Sequence, residues 1–145
     1  MRKLFVLFLV TAVAGAFMTY GCAKKKTDSA SKGSGLQRVH FDLDKSNIKA
    51  EYEPTMKSNT QWMMDNSKAK LVVEGHCDER GSVEYNIALG DRRAISAKTY
   101  MKNMGVDPNR VKTVSYGKER PLCTEHNEGC WWRNRRDEFV GEQYN

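Results

Sequence analysis

Polar and apolar residues alternate in several short stretches of the chain, a pattern that predicts strands buried on one side. The clearest stretch is Lys70–Glu74, which is rich in valine and leucine and ends at Gly75. The other predicted strands are Gln37–Phe41, Arg110–Ser115 and a short one at Glu138–Val140. A small sheet of short strands is therefore expected.

Two longer segments between these strands repeat apolar residues at helical spacing. The first, 50–66, is helical if Pro54 lies in its first turn. The second begins after Ser82, a suitable N-cap, and runs to about Met104, where Gly105 ends it. We predict that its core stripe comprises Ile87, Gly90, Ala94, Ala97, Met101 and Met104. A short helical turn is expected near 131–134.

The predicted order is strand, helix, strand, helix, strand, strand. Parallel strands joined through a helix make right-handed crossovers, which place both helices on one face of the sheet. The sequence therefore predicts an α/β fold, a two-layer α/β sandwich with two main helices on one face of a small mixed sheet. We assign this domain to residues 36–145.

The first 21 residues have the pattern of an export signal. A positive start, Met1–Lys3, precedes an apolar or small stretch, Leu4–Phe17. Fourteen helical residues rise about 21 Å, less than the roughly 30 Å of a bilayer's hydrocarbon core, so a spanning helix is the weaker interpretation.

A small residue directly precedes Cys22 where the apolar stretch ends, which resembles the lipobox of bacterial lipoproteins. In those proteins the cysteine becomes the acylated first residue. Thr19 and Tyr20 depart from the usual lipobox, and the alternative is an ordinary secretory signal with an incidental cysteine. We assign 1–21 to a lipoprotein signal peptide and 22–35 to a lipidated N-terminus and flexible tether, rich in Ser, Gly and Lys.

Composition and charge narrow the class of protein. The chain has 145 residues, enough for one domain, and its mean hydropathy of −0.70 is typical of a soluble globular chain. Its formal charge is +6, but six basic residues and one acidic residue precede Gly33, which leaves 18 basic and 17 acidic residues after them. The domain is thus almost neutral, and no nucleic-acid partner is indicated.

The cysteines other than Cys22 suggest an oxidising compartment. Cys123 and Cys130 enclose a polar segment, and we predict a disulfide between them. The alternative is a metal site in which His126 joins these two cysteines, with His76 and Cys77 as possible further ligands. Cys77 has no evident partner, and an unreactive thiol is favoured over a nucleophile.

The loop Gly75–Gly81 follows the best strand, at the edge where open α/β sheets bind ligands. Asp78 lies in this loop, and Arg93 lies on the long helix. Asn86 and Leu89 share a helix face with Arg93, beside the core stripe. Asp78 and Arg93 would then stand at opposite ends of one cleft; alternatively, they pair with each other or with solvent.

Five ordered blocks between about 38 and 140 resemble the C-terminal domain of the OmpA-like family, and within it the lipoproteins that associate with the cell wall. The blocks are His40–Asp44, Val73–Gly81, Tyr85–Ala94, Val114–Pro121 and Asn134–Arg136. Departures from the family pattern are the Cys123/Cys130 pair and Asp137–Glu138, where apolar residues are usual.

The resemblance implies a domain that grips the meso-diaminopimelate residue of the peptidoglycan stem peptide without cutting it. Asp78 matches the carboxylate that holds the ligand's ammonium, and Arg93 matches the guanidinium that holds its carboxylate, for which an arginine fork is suited. We expect both side chains to be solvated in the free cleft and to contribute little to stability. The other positions carried over are Asn86, Leu89, Phe41, Asp42 and Arg136.

The resemblance further implies a lipid-anchored outer-membrane protein that ties the membrane to the wall, with a TolB-type periplasmic partner and other Tol proteins, and no cofactor. An alternative is a wall hydrolase using His76, Asp78 or Glu79, but adjacent carboxylates point apart and no nucleophile or zinc-protease motif is present. Two further alternatives are a wall-binding lipoprotein outside the Tol system and a domain of the same fold in a flagellar stator or a porin.

Overall fold

A computed structural model describes residues 35–142. The strands are β1 (Val39–His40), β2 (Lys70–His76), β3 (Val111–Gly117) and β4 (Arg136–Glu142), and the helices are α1 (Glu53–Asp65), α2 (Val83–Asn103) and α3 (Glu128–Asn134). Short 3₁₀ turns occupy Ala50–Tyr52 and Pro108–Arg110. The predicted signal peptide, the acylated Cys22 and the tether up to residue 34 lie outside the described residues. Among the helices described, none is both long and apolar enough to cross a membrane.

The four strands form one mixed sheet in the order β1-β4-β2-β3. β2 and β3 are parallel, whereas β4 runs antiparallel to both β1 and β2. Gly75 of β2 lies against Gly90 of α2, and Gly141 of β4 lies against Trp62 of α1. Because Gly75 and Gly141 are on the same face of the sheet, both helices cover that face, and the predicted two-layer α/β fold is confirmed.

The last strand differs most from its prediction. β4 is seven residues long and lies between β1 and β2, although a short strand at 138–140 was expected. Its first residues are charged, which interrupts the apolar alternation, yet Asp137 is completely buried. Backbone pairing to two neighbours, rather than side-chain pattern, therefore sets the length of this strand.

Most helices begin and end where the capping, proline and glycine residues of the sequence predict. The Ser82 hydroxyl caps α2 by accepting from the backbone N–H of Tyr85, and Pro54 lies in the first turn of α1. Gly105 takes a positive φ of 100° directly after α2, as its C-terminal stop requires. α3 begins three residues earlier than the expected turn, because the Asn127 side chain caps it by accepting from the N–H of Cys130.

The core lies between the sheet and the two long helices. Met56 and Met63 of α1 are fully buried. From α2 the buried stripe comprises Gly90, Ala94, Ala97 and Met101, with Ile87 half-buried. Met104 was expected in this stripe but is 45% exposed, because it is the C-cap residue where the chain leaves the helix; Val106 turns back into the core.

The approach of α2 to β2 depends on two glycines. A Cβ added to Gly75 would lie 1.9 Å from the backbone carbonyl oxygen of Gly90, which no side-chain rotation relieves. We therefore predict that Gly75→Ala lowers the free energy of unfolding by about 3 kcal/mol or more, measured by urea unfolding. Gly129→Ala is the control, because its methyl would come no closer than 3.2 Å to the side-chain oxygen of Asn127. Equal stability of the two variants would contradict this.

Cys123 and Cys130 form a disulfide, as predicted, and Cys123 is thereby unavailable as a thiolate metal ligand. Within residues 35–142 no group of three or more His, Cys, Asp or Glu side chains is placed to hold a metal ion. Cys77 is free and buried, and burial raises the pKa of its thiol to about 11. The thiol is thus protonated near neutral pH, which suits the unreactive role.

Candidate functional site

A small cleft of about 30 Å³ lies where β2 ends. The loop after β1, the β2–α2 loop, one face of α2 and the residue after α3 contribute its walls. Its lining includes Asp78, Arg80, Asn86, Leu89, Arg93 and Arg135. Asp78 and Arg93, fifteen positions apart in the sequence, therefore share one cleft.

Asp78 is 3% exposed and its carboxylate is surrounded by donors. Oδ1 accepts from the backbone N–H and the Nε of Arg80, each at 3.1 Å. Oδ2 accepts from Nη2 of Arg80 at 2.5 Å and from Nη1 of Arg135 at 3.1 Å. Burial alone would raise the pKa of Asp78, but the hydrogen bonds from Arg80 and Arg135 outweigh it and hold the pKa below its usual range. The carboxylate is ionised near neutral pH.

Arg93 is completely buried, contrary to the expectation that it is solvated. Its guanidinium lies 4.9 Å from the ring centre of Phe41 and joins the loop after β1 to the end of β2. The distances from its nitrogens are 2.8 Å to the carbonyl of Lys45, 2.7 Å to that of His76, 3.2 Å to that of Asp42 and 3.5 Å to the sulfur of Cys77. Burial lowers the pKa of Arg93. This arginine thus has a structural role that sequence reasoning missed.

Asn86 and Leu89, also carried over from the family, are 2% and 5% exposed and line the cleft. Nδ2 of Asn86 donates to the carbonyls of Arg80 and Ser82, at 2.9 and 3.0 Å. Asn86 therefore fixes the loop that carries Asp78 and Arg80, whereas Leu89 supplies an apolar wall.

Three further expected site residues lie outside the cleft lining. Phe41 is completely buried beneath Arg93, so it supports the site from below. The exposed Asp42 carboxylate binds Lys49 at 2.9 Å, and only its backbone carbonyl reaches Arg93. Arg136 binds Glu138 at 2.7 Å and two backbone carbonyls, away from the cleft.

Arg135 lines the cleft in the place where Arg136 was predicted, and Arg136 is not part of the cleft lining. Side chains of successive residues at the start of a strand point to opposite sides of the sheet. A shift of one residue in the sequence therefore moves a side chain from the cleft to the outer face. Arg135 is 3% exposed. Its Nε donates to the carbonyl of Phe41 at 3.0 Å, while its terminal nitrogens bind Asp78 and Glu128.

The segment closed by the disulfide packs against the rim of the cleft. Glu79 Oε1 lies 2.6 Å from Nδ1 of His126 and accepts from Nε1 of Trp131 at 2.7 Å. The His126 contact, followed by the Trp131 bond, lowers the pKa of Glu79, and Glu79 in turn raises that of His126. The guanidinium of Arg80 lies 4.2 Å from the ring centre of Trp131. No sequence signal indicated these contacts, because they join positions about fifty residues apart.

Asp137 is a buried acid whose carboxylate oxygens have no hydrogen-bond partner within residues 35–142. Burial raises its pKa well above the ordinary 3.8, although Arg93 and Arg136 oppose this. The folded state therefore holds the proton more tightly than the unfolded state. The free energy of unfolding then falls as the pH rises from 3.8 through the raised folded pKa, by up to about 1.4 kcal/mol per pH unit.

We predict that Asp137→Asn removes this contribution. Urea unfolding of both proteins between pH 3.5 and 8 should show the wild type losing stability relative to the variant as the pH rises. Parallel pH profiles would contradict the prediction.

The cleft is more cationic than the sequence indicated. Three guanidinium groups, those of Arg80, Arg93 and Arg135, line it, together with two carboxylates, those of Asp44 and Asp78. Such a set is suited to a ligand that carries carboxylate groups together with one cation.

Comparison with known proteins identifies the family of this chain. Residues 40–134 match the OmpA family. The chain belongs to the OmpA family. The resemblance predicted from the five sequence blocks is thereby confirmed.

Several OmpA-family relatives are peptidoglycan-associated lipoproteins. That of Mesorhizobium japonicum is 37% identical over 88% of either chain, and that of Pasteurella multocida is 38% identical over 94% of this chain and 97% of its own. The crystal structure of the peptidoglycan-associated lipoprotein from Burkholderia pseudomallei is 32% identical with a TM-score of 0.71, covering 72% of this chain and 89% of that one. The C-terminal domain of Helicobacter pylori MotB, at 18% identity and a TM-score of 0.70 over 76% and 87% of the two chains, shares the fold alone.

Proposed function

We propose that this OmpA-family protein binds peptidoglycan non-covalently, through the meso-diaminopimelate residue of the stem peptide. The observation that carries the proposal is the presence of Asp78 and Arg93, with opposite charges, in one cleft. The distal end of diaminopimelate is a zwitterion, which needs one fixed charge of each sign. The names of the relatives, peptidoglycan-associated lipoproteins, support peptidoglycan as the partner.

In this proposal Asp78 holds the ligand's ammonium and Arg93 contributes to holding its carboxylate. Arg93 has five N–H donors, and four have partners in the described part of the chain. One hydrogen on Nη2 is left, so Arg93 offers a single bond rather than the expected bidentate fork. Arg135, whose charge also faces the cleft, supplies the second cation.

We propose binding rather than catalysis. A general acid for glycan hydrolysis requires a raised pKa, whereas the pKa values of Asp78 and Glu79 are lowered. Burial, together with Arg136, Arg120 and Arg38, lowers the pKa of His76 to about 3, so its imidazole is neutral and does not exchange protons near neutral pH. These properties support a site that keeps fixed charges.

We further propose that Cys22 carries the lipid anchor, so that the domain faces the periplasm from the outer membrane and tethers that membrane to the wall. The names of the relatives support a lipoprotein. A place in the Tol-Pal system, with a TolB-type partner and a role in envelope integrity and cell division, belongs to the same proposal.

Co-sedimentation of the full chain with purified sacculi tests the wall-binding function. Sacculi with diaminopimelate in the stem peptide should carry the protein into the pellet, whereas sacculi with lysine at that position should leave most of it in solution. Equal sedimentation with the two walls, or none with either, would contradict the proposal.

A further inference from the structure

We infer that Arg80 is an internal counter-ion of Asp78, which the ammonium group of the ligand must displace, and that Glu128 receives the displaced guanidinium. The inference rests on the proposed function and concerns how the same cleft selects its ligand.

Asp78 has no vacant acceptor position. A carboxylate has about four lone-pair positions, and four donors already point at this one. Three of them belong to Arg80 and one to Arg135. An ammonium group that binds Asp78 must therefore take the place of an existing donor.

The donor that leaves is the guanidinium of Arg80, because Arg135 is held more firmly. The side chain of Arg135 is 4% exposed and also binds the Phe41 carbonyl and Glu128. The side chain of Arg80 is 34% exposed, and its hydrogen bonds within residues 35–142 go to Asp78 alone. Moving Arg80 costs one partly exposed ion pair, whereas moving Arg135 opens a buried network.

Glu128 is placed to receive the freed guanidinium. Its Oε2 lies 3.8 Å from Nη2 of Arg80, and its side chain is 64% exposed. The ring of Trp131, 4.2 Å from the guanidinium, forms a surface along which Arg80 can move without losing its contact with the aromatic face. Glu128 and Trp131 both belong to α3, which the disulfide ties to Cys123 through Cys130 in its first turn.

The exchange makes the cleft selective for a ligand with a positive charge. A neutral group cannot replace the guanidinium on Asp78 without leaving a buried carboxylate partly unpaired. Removing Arg80 should therefore strengthen cation binding, which is the opposite of what a direct ligand contact would give. Removing the charge of Glu128 should weaken binding more while Arg80 is present than after its removal, because the contact of Glu128 with Arg135 is lost in either case.

The test is a double-mutant cycle with Arg80→Ala and Glu128→Gln in the full chain. Calorimetry would measure the affinity for the tripeptide L-Ala-γ-D-Glu-meso-diaminopimelate. We expect Arg80→Ala to bind about threefold to tenfold more tightly, the change for loss of an ion pair worth about 1 kcal/mol. We expect Glu128→Gln to weaken binding more in the wild type than beside Arg80→Ala, because the contact of Glu128 with Arg135 is lost in both backgrounds. Arg133→Ala is the control, because it also removes one arginine charge, but from an exposed position on α3; it should leave the affinity unchanged.

The same tripeptide with its free diaminopimelate amine acetylated should show no gain from Arg80→Ala. Weaker or unchanged binding of the original tripeptide by Arg80→Ala, while the wild type binds it, would overturn the counter-ion role and leave the proposed function intact. Binding by no variant, the wild type included, would overturn both.

Discussion

Replacing Arg93 with alanine is expected to lower the free energy of unfolding by about 3 to 5 kcal/mol and to abolish binding of the diaminopimelate peptide. The substitution leaves the carbonyls of Lys45, His76 and Asp42 without their buried donor. It also leaves a cavity above Phe41. Small domains are stable by about 5 to 15 kcal/mol, so a large part of the protein's stability depends on this one side chain.

Urea unfolding of Arg93→Ala measures the effect, with Arg92→Ala as the matched control. Arg92 is the adjacent residue on α2, carries the same charge and is exposed. Its removal should change the free energy of unfolding by no more than about 0.5 kcal/mol. Arg93→Lys keeps the charge but cannot donate to three separated carbonyls, so it should recover only part of the loss. Wild-type stability of Arg93→Ala would contradict the structural role of this residue.

Asp78→Asn is expected to weaken binding of the same peptide by about 2 to 5 kcal/mol, which is roughly thirtyfold or more. The amide keeps the shape of the carboxylate but carries no charge, so the ligand's ammonium loses its counter-ion in a cleft that retains three guanidinium groups. Arg80 is partly exposed, and the buried Arg135 keeps the Phe41 carbonyl and Glu128 as partners, so we expect the variant to fold but to be less stable than the wild type.

Calorimetry at a temperature where both proteins are fully folded separates affinity from stability. The control is Asp65→Asn, the same substitution at an exposed position at the end of α1, and this variant should bind the peptide like the wild type. A folded Asp78→Asn protein with wild-type affinity would show that Asp78 holds the loop and not the ligand.

The sequence was sufficient to predict the elements that have strong local signals. Ser82 and Gly105 bound α2 as their residue types indicate, and the stripe from Gly90 to Met101 has helical spacing. The pairing of Cys123 with Cys130 also followed from the residues they enclose. Each of these depends on neighbours within a few turns of chain.

The position of arginine side chains in the cleft was harder to predict. Arg135 and Arg136 are identical and adjacent, and only the register of β4 decides which one points into the cleft. The depth of Arg93 depends on backbone carbonyls more than forty positions away, whose direction no side-chain pattern encodes. Tertiary contacts of this kind also account for Arg80 and Glu128, which were not among the expected site residues.

Calorimetry of the full chain with two tripeptides that differ only at the third residue tests the wall-binding account most directly. The ammonium group is common to the meso-diaminopimelate and lysine forms, but the distal carboxylate is present only in the former. The account predicts binding of the diaminopimelate tripeptide and a loss of at least tenfold for the lysine tripeptide, since the guanidinium groups of Arg93 and Arg135 then face no carboxylate. Equal affinity for the two tripeptides would contradict it.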